Sequence, residues 1–311
     1  MCYSAQIENQ YRRYMRVVGP ENALNIQDFI DKYWERQESL PSMKIPKAID
    51  AWFANPKNED ERKIAQMIRD YDAKQMAKYE LEIFKQRKRL ADAERSLQTK
   101  TTKKALEDQR ISKDKVEQAL AKLADIKRSE FKPRDARIYP GIYAPVVVSE
   151  KGQRSVKLMR YQCRPEGKPA FYDKKFNGSY NARRDNLTST FWRDLFGYRH
   201  GVMIVNAFYE NVETEEKGKH VLEFRPQGQD EMYVACLWSH WQEGDIVLDS
   251  FAAITDEPPA EIAAAGHDRV IVSLKPENID AWLNPDPKKL DAQFAILQDP
   301  VRPFYEHRMA A

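Results

Sequence analysis

Glycine and cysteine are scarce in this chain: 11 of the first and three of the second in 311 residues. The cysteines, Cys2, Cys163 and Cys236, are spaced too widely for a disulfide framework or a zinc site, so a reducing cytosol is the expected setting. No apolar run approaches the roughly 20 residues that cross a bilayer. The opening segment, MCYSAQIENQYRRYMR, lacks the apolar core of a signal peptide. GxGxxG, Walker, HExxH and GxSxG patterns are all missing, so nucleotide-fold and zinc-peptidase chemistry have no support, and no cofactor or metal is expected. Net charge is only +3, so any binding of nucleic acid must rest on local patches.

What is present is solvated and long enough to fold. Charged residues make up 32% and mean hydropathy is −0.75, which fits one large domain or two ordinary ones with extensive polar surface. Residues 1–56 are aromatic-rich and partly helical in pattern (IQDFIDKYWERQ, PKAIDAWFANP). Residues 57–130 change character, with no Pro or Gly and 20 Lys and Arg against 15 Asp and Glu. Met76, Ile83, Leu90 and Leu97 recur every seventh residue, with Tyr79 and Ala93 in the companion row, and Val116, Leu120 and Leu123 resume a stripe after Thr99–Lys103. This spacing predicts two long helices folded back as an antiparallel, coiled-coil-like hairpin, the first arm on the order of 50 Å long. A solvated spacer or self-association arm is the first reading of it; a basic face following a phosphate backbone is the second.

From Pro133 onward the texture is β-like. APVVV, SVKLMRY, GVMIVNAFYE, HVLEFRP, EMYVACLW, DIVLDSFAAIT and RVIVSL are rich in β-branched and aromatic residues and are separated by turn signals. Helical patches are expected near Asn186–Phe196, Pro259–Ala265 and Pro276–Leu283. The fold class that follows is α+β, with a largely antiparallel sheet core, flanking helices and the inserted hairpin. The division is 1–56 and 131–311 as one domain, with 57–130 inserted.

Cys2 sits directly behind Met1. Removal of Met1 leaves an amine and a thiol on adjacent carbons. The amine condenses with an aldehyde to an imine, and the thiol closes onto the imine carbon as a five-membered thiazolidine. An α-amino group titrates near 7.7–8.0, so roughly a quarter of it is an uncharged nucleophile at physiological pH.

Four stretches stand together: Met1-Cys2, Asn181-Ala182-Arg183-Arg184-Asp185, Phe208-Tyr209-Glu210 and His267-Asp268-Arg269. With Tyr139-Pro140-Gly141, Met159-Arg160-Tyr161, ACLWSHW and FAAIT in the same order, the chain resembles the SRAP family, the SOS response-associated peptidases that process abasic sites. The resemblance covers the N-terminus and roughly residues 137–283. It implies autocatalytic loss of Met1 and covalent trapping of abasic sites in single-stranded DNA. Residue by residue it implies Cys2 as nucleophile and Asn181 as the anchor of its terminus. Glu210 and His267 become proton shuttles, and Arg183 and Arg269 phosphate contacts. Arg160 and Tyr161 stand where the family has Arg-Trp, the tyrosine as a base-stacking platform. It also implies a cytoplasmic protein, nucleoid-associated when bound to DNA. The chain departs from the family at Tyr3-Ser4 (commonly Gly-Arg), Asp185 (Glu), Asn211 (Trp) and Val270-Ile271 (Met-Pro). Met-Cys also opens N-terminal-nucleophile amidohydrolases, and that alternative stays open from position alone. A non-catalytic scaffold binding a partner through the hairpin is the third reading. His200, His220, His240 and His307 show no ligand spacing, and Cys163 and Cys236 read as buried, inert thiols.

Overall fold

The structure, a computed structural model, describes residues 4–19, 25–38, 43–214 and 218–310. β1 (Ser4–Ile7) leads into α1 (Tyr11–Val18), α2 (Ile26–Glu38) and α3 (Lys47–Asp50). Their inward residues follow helical spacing: Tyr14, Val17 and Val18 on α1, Phe29 and Tyr33 on α2. Trp52 collects the rings of Tyr11, Tyr14 and Phe29 at 5.2–6.2 Å between centroids, and Phe53 takes Tyr33 and Phe29.

The hairpin then leaves the body as α4 (Glu59–Thr99) and α5 (Lys103–Lys127). The Asn58 side chain accepts the Glu61 amide at 2.9 Å and caps α4, and the Thr102 hydroxyl accepts the Ala105 amide at 3.1 Å and caps α5. On α4 the predicted heptad row faces its partner: Ile83 and Ala93 are buried, and Met76, Tyr79, Leu90 and Leu97 are half-buried. On α5 Val116 and Leu123 of the predicted stripe are half-buried. Leu120 is 41% exposed, while Ala105, Ser112 and Ala119, seven residues apart, form the seam. Small side chains there let the two backbones approach closely, which larger Leu and Val at those positions would prevent. Lys47 ties the far end of α5 to the body, donating from Nζ to the carbonyls of Asp125 (2.6 Å), Arg128 (2.9 Å) and Ile126 (3.4 Å), a cation at a helix C-terminus.

The sheet follows: β2 (Arg137–Ile138), β3 (Tyr143–Glu150), β4 (Gln153–Tyr161), α6 (Tyr172–Lys175), β5 (Asn181–Arg183), β6 (His200–Thr214), β7 (Gly218–Pro226), β8 (Met232–Glu243), β9 (Ile246–Asp256), α7 (Ala260–Ala264), β10 (Val270–Ile271), α8 (Ile279–Leu283), α9 (Leu290–Gln298) and β11 (Tyr305–Met309). The predicted strands form, and the helices near 260 and 280 with them. The segment 186–196 instead winds through successive turns after a short 3-10 stretch. All ladders are antiparallel except β4 with β9 and β5 with β9. Pairings run β3 to β4, β4 to β9, β9 to β8, β8 to β6 and β6 back to β3, so five strands close a ring around the core. Gly201 on β6 is paired to both β3 and β8 at that closure, and a Cβ there would lie 2.7 Å from Val146 Cγ1.

Candidate active site

The residues singled out in the sequence lie on β6, at the turn after α7 and on β5. On β6, period-two alternation buries Phe208 and turns Glu210 inward, its side chain wholly covered. After α7 the chain turns at Gly266 (φ +91°), where a Cβ would stand 3.0 Å from Val212 Cγ1. That turn delivers His267, whose Nε2 lies 2.9 Å from Glu210 Oε2. From behind, Nδ1 of the imidazole lies 3.2 Å from the Arg269 amide nitrogen and 3.0 Å from the Arg269 carbonyl oxygen. Neutral, with its proton on Nε2, the ring donates to the carboxylate and accepts the amide. Protonated, it donates to the carbonyl instead. Either protonation state therefore finds a partner at Nδ1 without rotation of the ring, exchanging the amide for the carbonyl.

The last residues of β9 bring the other motif alongside. Asn181, Ala182 and Arg183 pair in parallel with Ala253, Ile254 and Thr255, while Val270 and Ile271 pair with Asp256 and Thr255 from the opposite edge. Asn181 is buried and its Oδ1 lies 3.4 Å from the Tyr161 hydroxyl. Arg183 is the open arginine of the set: its side chain is 48% exposed and forks onto Asp185 at 2.9 and 2.5 Å. Hydrogen bonding to Asp185 raises its pKa, and the charges of Asp268 and Glu257 add to the effect. Asp185 is held low in turn by Arg183, with help from Arg269, so the charges of the two motifs act on each other. Arg269 itself is largely covered, 3.9 Å from Asp268.

Two expected contacts have other occupations. Tyr161 is 1% exposed, stacked on Phe251 and edge-on to Tyr180, so it offers no face to a nucleobase. It orients Asn181 rather than substrate. Arg160 is turned to Asp173 (2.7 and 3.1 Å) and to the Gln162 carbonyl. Burial works to raise the Asp173 carboxyl, but Arg164 and Arg160 outweigh it and hold it below the usual range. A guanidinium so engaged is an internal strut, not a phosphate contact. Cys2 lies outside the described residues.

Sequence reasoning missed Arg137. Its guanidinium donates to the Ser4 hydroxyl at 3.1 and 3.2 Å and lies 3.7 Å over the Tyr209 ring, next to the start of β1. The signal available was its place two residues before Tyr139-Pro140-Gly141. His200 is a core residue: Nε2 accepts the Gly197 amide, Nδ1 meets the Trp282 carbonyl, and burial pulls its pKa down to about 3. Cys163 is buried, its thiol pushed up to about 12 by desolvation, and Cys236 is raised further by the same cause. Among the described residues no group of His, Cys, Asp or Glu is arranged to hold a metal, and no helix is long and apolar enough to cross a membrane.

The ring of strands, with a buried carboxylate–imidazole pair on β6 and the turn after α7 and an exposed arginine on the short strand β5, defines a mixed α and β protein. A family model for the SOS response associated peptidases (SRAP) matches residues 101–310, about two thirds of the sequence, and the chain belongs to that family. Membership places it, at the level of the family, in the SOS response and abasic-site processing. Among curated proteins no relative matches. Solved structures similar to this one include a protein from Bacteroides thetaiotaomicron, at 15% identity over 60% of this chain and 82% of that one, TM-score 0.49. Two proteins from Bordetella bronchiseptica are also similar. One shares 15% identity over 59% and 90% of the two chains, TM-score 0.45. The other, a phage-related protein, shares 17% over 56% and 81%, TM-score 0.44.

Proposed function

We propose that this protein traps abasic sites in single-stranded DNA covalently through Cys2, after removal of Met1. The observation that supports it most is the buried Glu210–His267 pair, 2.9 Å apart, with Glu210 on the strand that pairs with β1. Ser4 pairs with Tyr209, the neighbour of Glu210. Two residues of chain span at most about 7 Å, so the tether from Ser4 keeps the Cys2 terminus within short reach of that strand.

The chemistry needs one proton taken from the attacking amine and one given to the departing hydroxyl. The Cys2 nitrogen adds to the C1′ aldehyde of the opened sugar. The carbinolamine loses its oxygen as water on receiving a proton from the Glu210–His267 pair. The sulfur then adds to the imine carbon while its proton passes to nitrogen, so one water leaves overall. Asn181, fixed by Tyr161, orients the terminus, and Arg183, exposed unlike Arg160, turns its fork from Asp185 to a flanking phosphate when DNA arrives. The lesion has no base to read, so affinity comes from backbone contacts. The division at 57 and 130 makes the hairpin an insert between β1 with its helices and the rest of this machinery.

The test is a heat-stable complex with an abasic oligonucleotide. Wild type forms it, whereas Cys2→Ala binds the same DNA without it. Glu210→Gln forms it slower by about 10²–10⁴. Intact mass shows whether Met1 is gone. Equal crosslinking by Cys2→Ala would overturn the reading.

A further inference from the structure

The hairpin concentrates charge. Residues 84–115 hold eleven Lys and Arg against five Asp and Glu, a net +6, so the remainder of a +3 chain is −3. Part of this charge lines up along one flank. Lys85 and Lys88 of α4 line a cleft of about 480 Å³ with Lys104 of α5, where Asp108 is paired with Arg89 and Asp92 with Arg95. Stepping seven residues keeps the same flank. It takes Lys85 back to Lys78, and Asp108 on to Lys115 and Lys122. All six of these lysines are exposed. Lys122 in turn lines a groove of about 640 Å³ at the hairpin base together with Lys44, Arg134 and Arg137, the last on Ser4 and Tyr209. The acids of that groove are largely engaged, Asp50 by Arg36 and Asp125 by Arg128 and Arg134. A basic track thus runs from the start of β1 to the hairpin tip.

We infer that this flank of the hairpin is a second DNA-binding surface, which takes the single strand as it leaves the lesion site. Deepening the proposed function, it rests on that reading for the placement of the lesion but not for the charge. A solvated spacer gains nothing from a row of like charges, which repel one another along a helix. A second copy docked on this flank would bring like charge against like. A polyanion relieves both, and the track opens at the groove beside β1, so the strand in the site is its natural occupant. From Lys78 to Lys100 the arm adds about 33 Å of reach.

The variant Lys85→Gln/Lys88→Gln/Lys104→Gln/Lys115→Gln keeps good helix formers and removes only charge. Fluorescence anisotropy compares single strands of about 30 and about 6 nucleotides, abasic and undamaged, across a salt series. The variant should lose tenfold or more on the long strands, with a salt slope shallower by about 0.7 for each phosphate it no longer neutralises, and should match wild type on the short one. Crosslinking of the short abasic strand should be unchanged. Long-strand affinity equal to wild type overturns the inference, as does a loss that merely follows a change in sedimentation from dimer to monomer. Lysine-dependent binding of the undamaged long strand, with no crosslinking by any form, would leave the inference standing and remove the trapping reaction instead.

Discussion

The sheet body and the hairpin are held together by opposite means. In the body, β3, β4, β6, β8 and β9 bury nearly every residue of one face, and Trp282, Phe208, Phe224 and Phe251 are fully enclosed. In the hairpin the seam is built of Ala93, Ala105, Ser112 and Ala119, while Leu81 and Phe84 are 70% and 71% exposed. Long-range burial stabilises the first; caps, helix propensity and neighbouring ion pairs such as Arg62–Glu59 and Lys63–Asp60 stabilise the second. One region unfolds as a unit and the other opens in pieces.

That contrast can be broken most forcefully at Trp282. It donates from Nε1 to the Gly201 carbonyl at 3.0 Å and stacks on His200 at 3.9 Å. Trp282→Ala should cost about 3–5 kcal/mol of global stability in denaturant titrations. A cost under about 1 kcal/mol would mean the ring is not the cooperative unit.

Acid sharpens the comparison. His200 titrates near 6.5 unfolded and about 3 folded, because burial excludes its charged form. Its contribution is whole above pH 6.5 and falls by about 1.4 kcal/mol per unit as pH drops toward 3. Asp28 opposes it. Burial raises its carboxyl to about 6, so the fold binds a proton that the unfolded chain refuses between 6 and 3.8, which offsets the loss in that window. Asp28→Asn should therefore be more stable at pH 8, by up to about 3 kcal/mol, and should begin to lose stability at higher pH on acidification than wild type. Identical pH–stability curves from thermal melts would contradict this.

Gly266→Ala should cost about 1–2 kcal/mol, since a positive φ is strained for alanine. It should also slow crosslinking, by pushing His267 from Glu210. Rate and stability moving independently would show that the turn does not position the imidazole. The smallest effect belongs to the hairpin. Asn58→Ala removes the α4 cap at about 1 kcal/mol, visible as faster amide exchange in residues 59–70 and not as a shift of the global transition.

Legibility followed the same division. The α4 heptad was readable because Ile and Leu mark it, but Ala105, Ser112 and Ala119 were not, since small residues carry no hydrophobic signature. Runs of β-branched residues announced the strands. Ring closure did not show, because β4 meets β9 across some ninety residues and no local pattern encodes it. Glu210 and His267 were associated only through a family likeness. Arg160 and Tyr161 were misread because family position outweighed strand alternation, which points the tyrosine inward and the arginine to Asp173.

The Lys47 ammonium holds three carbonyls where α5 meets the body, and so acts as the fulcrum of a lever. A tilt of about ten degrees at that fulcrum sweeps the far end of an arm of about 33 Å through about 6 Å, roughly one helical turn. With the Arg36 guanidinium seated on the Tyr71 ring of α4, this clasp sets the direction of the whole appendage.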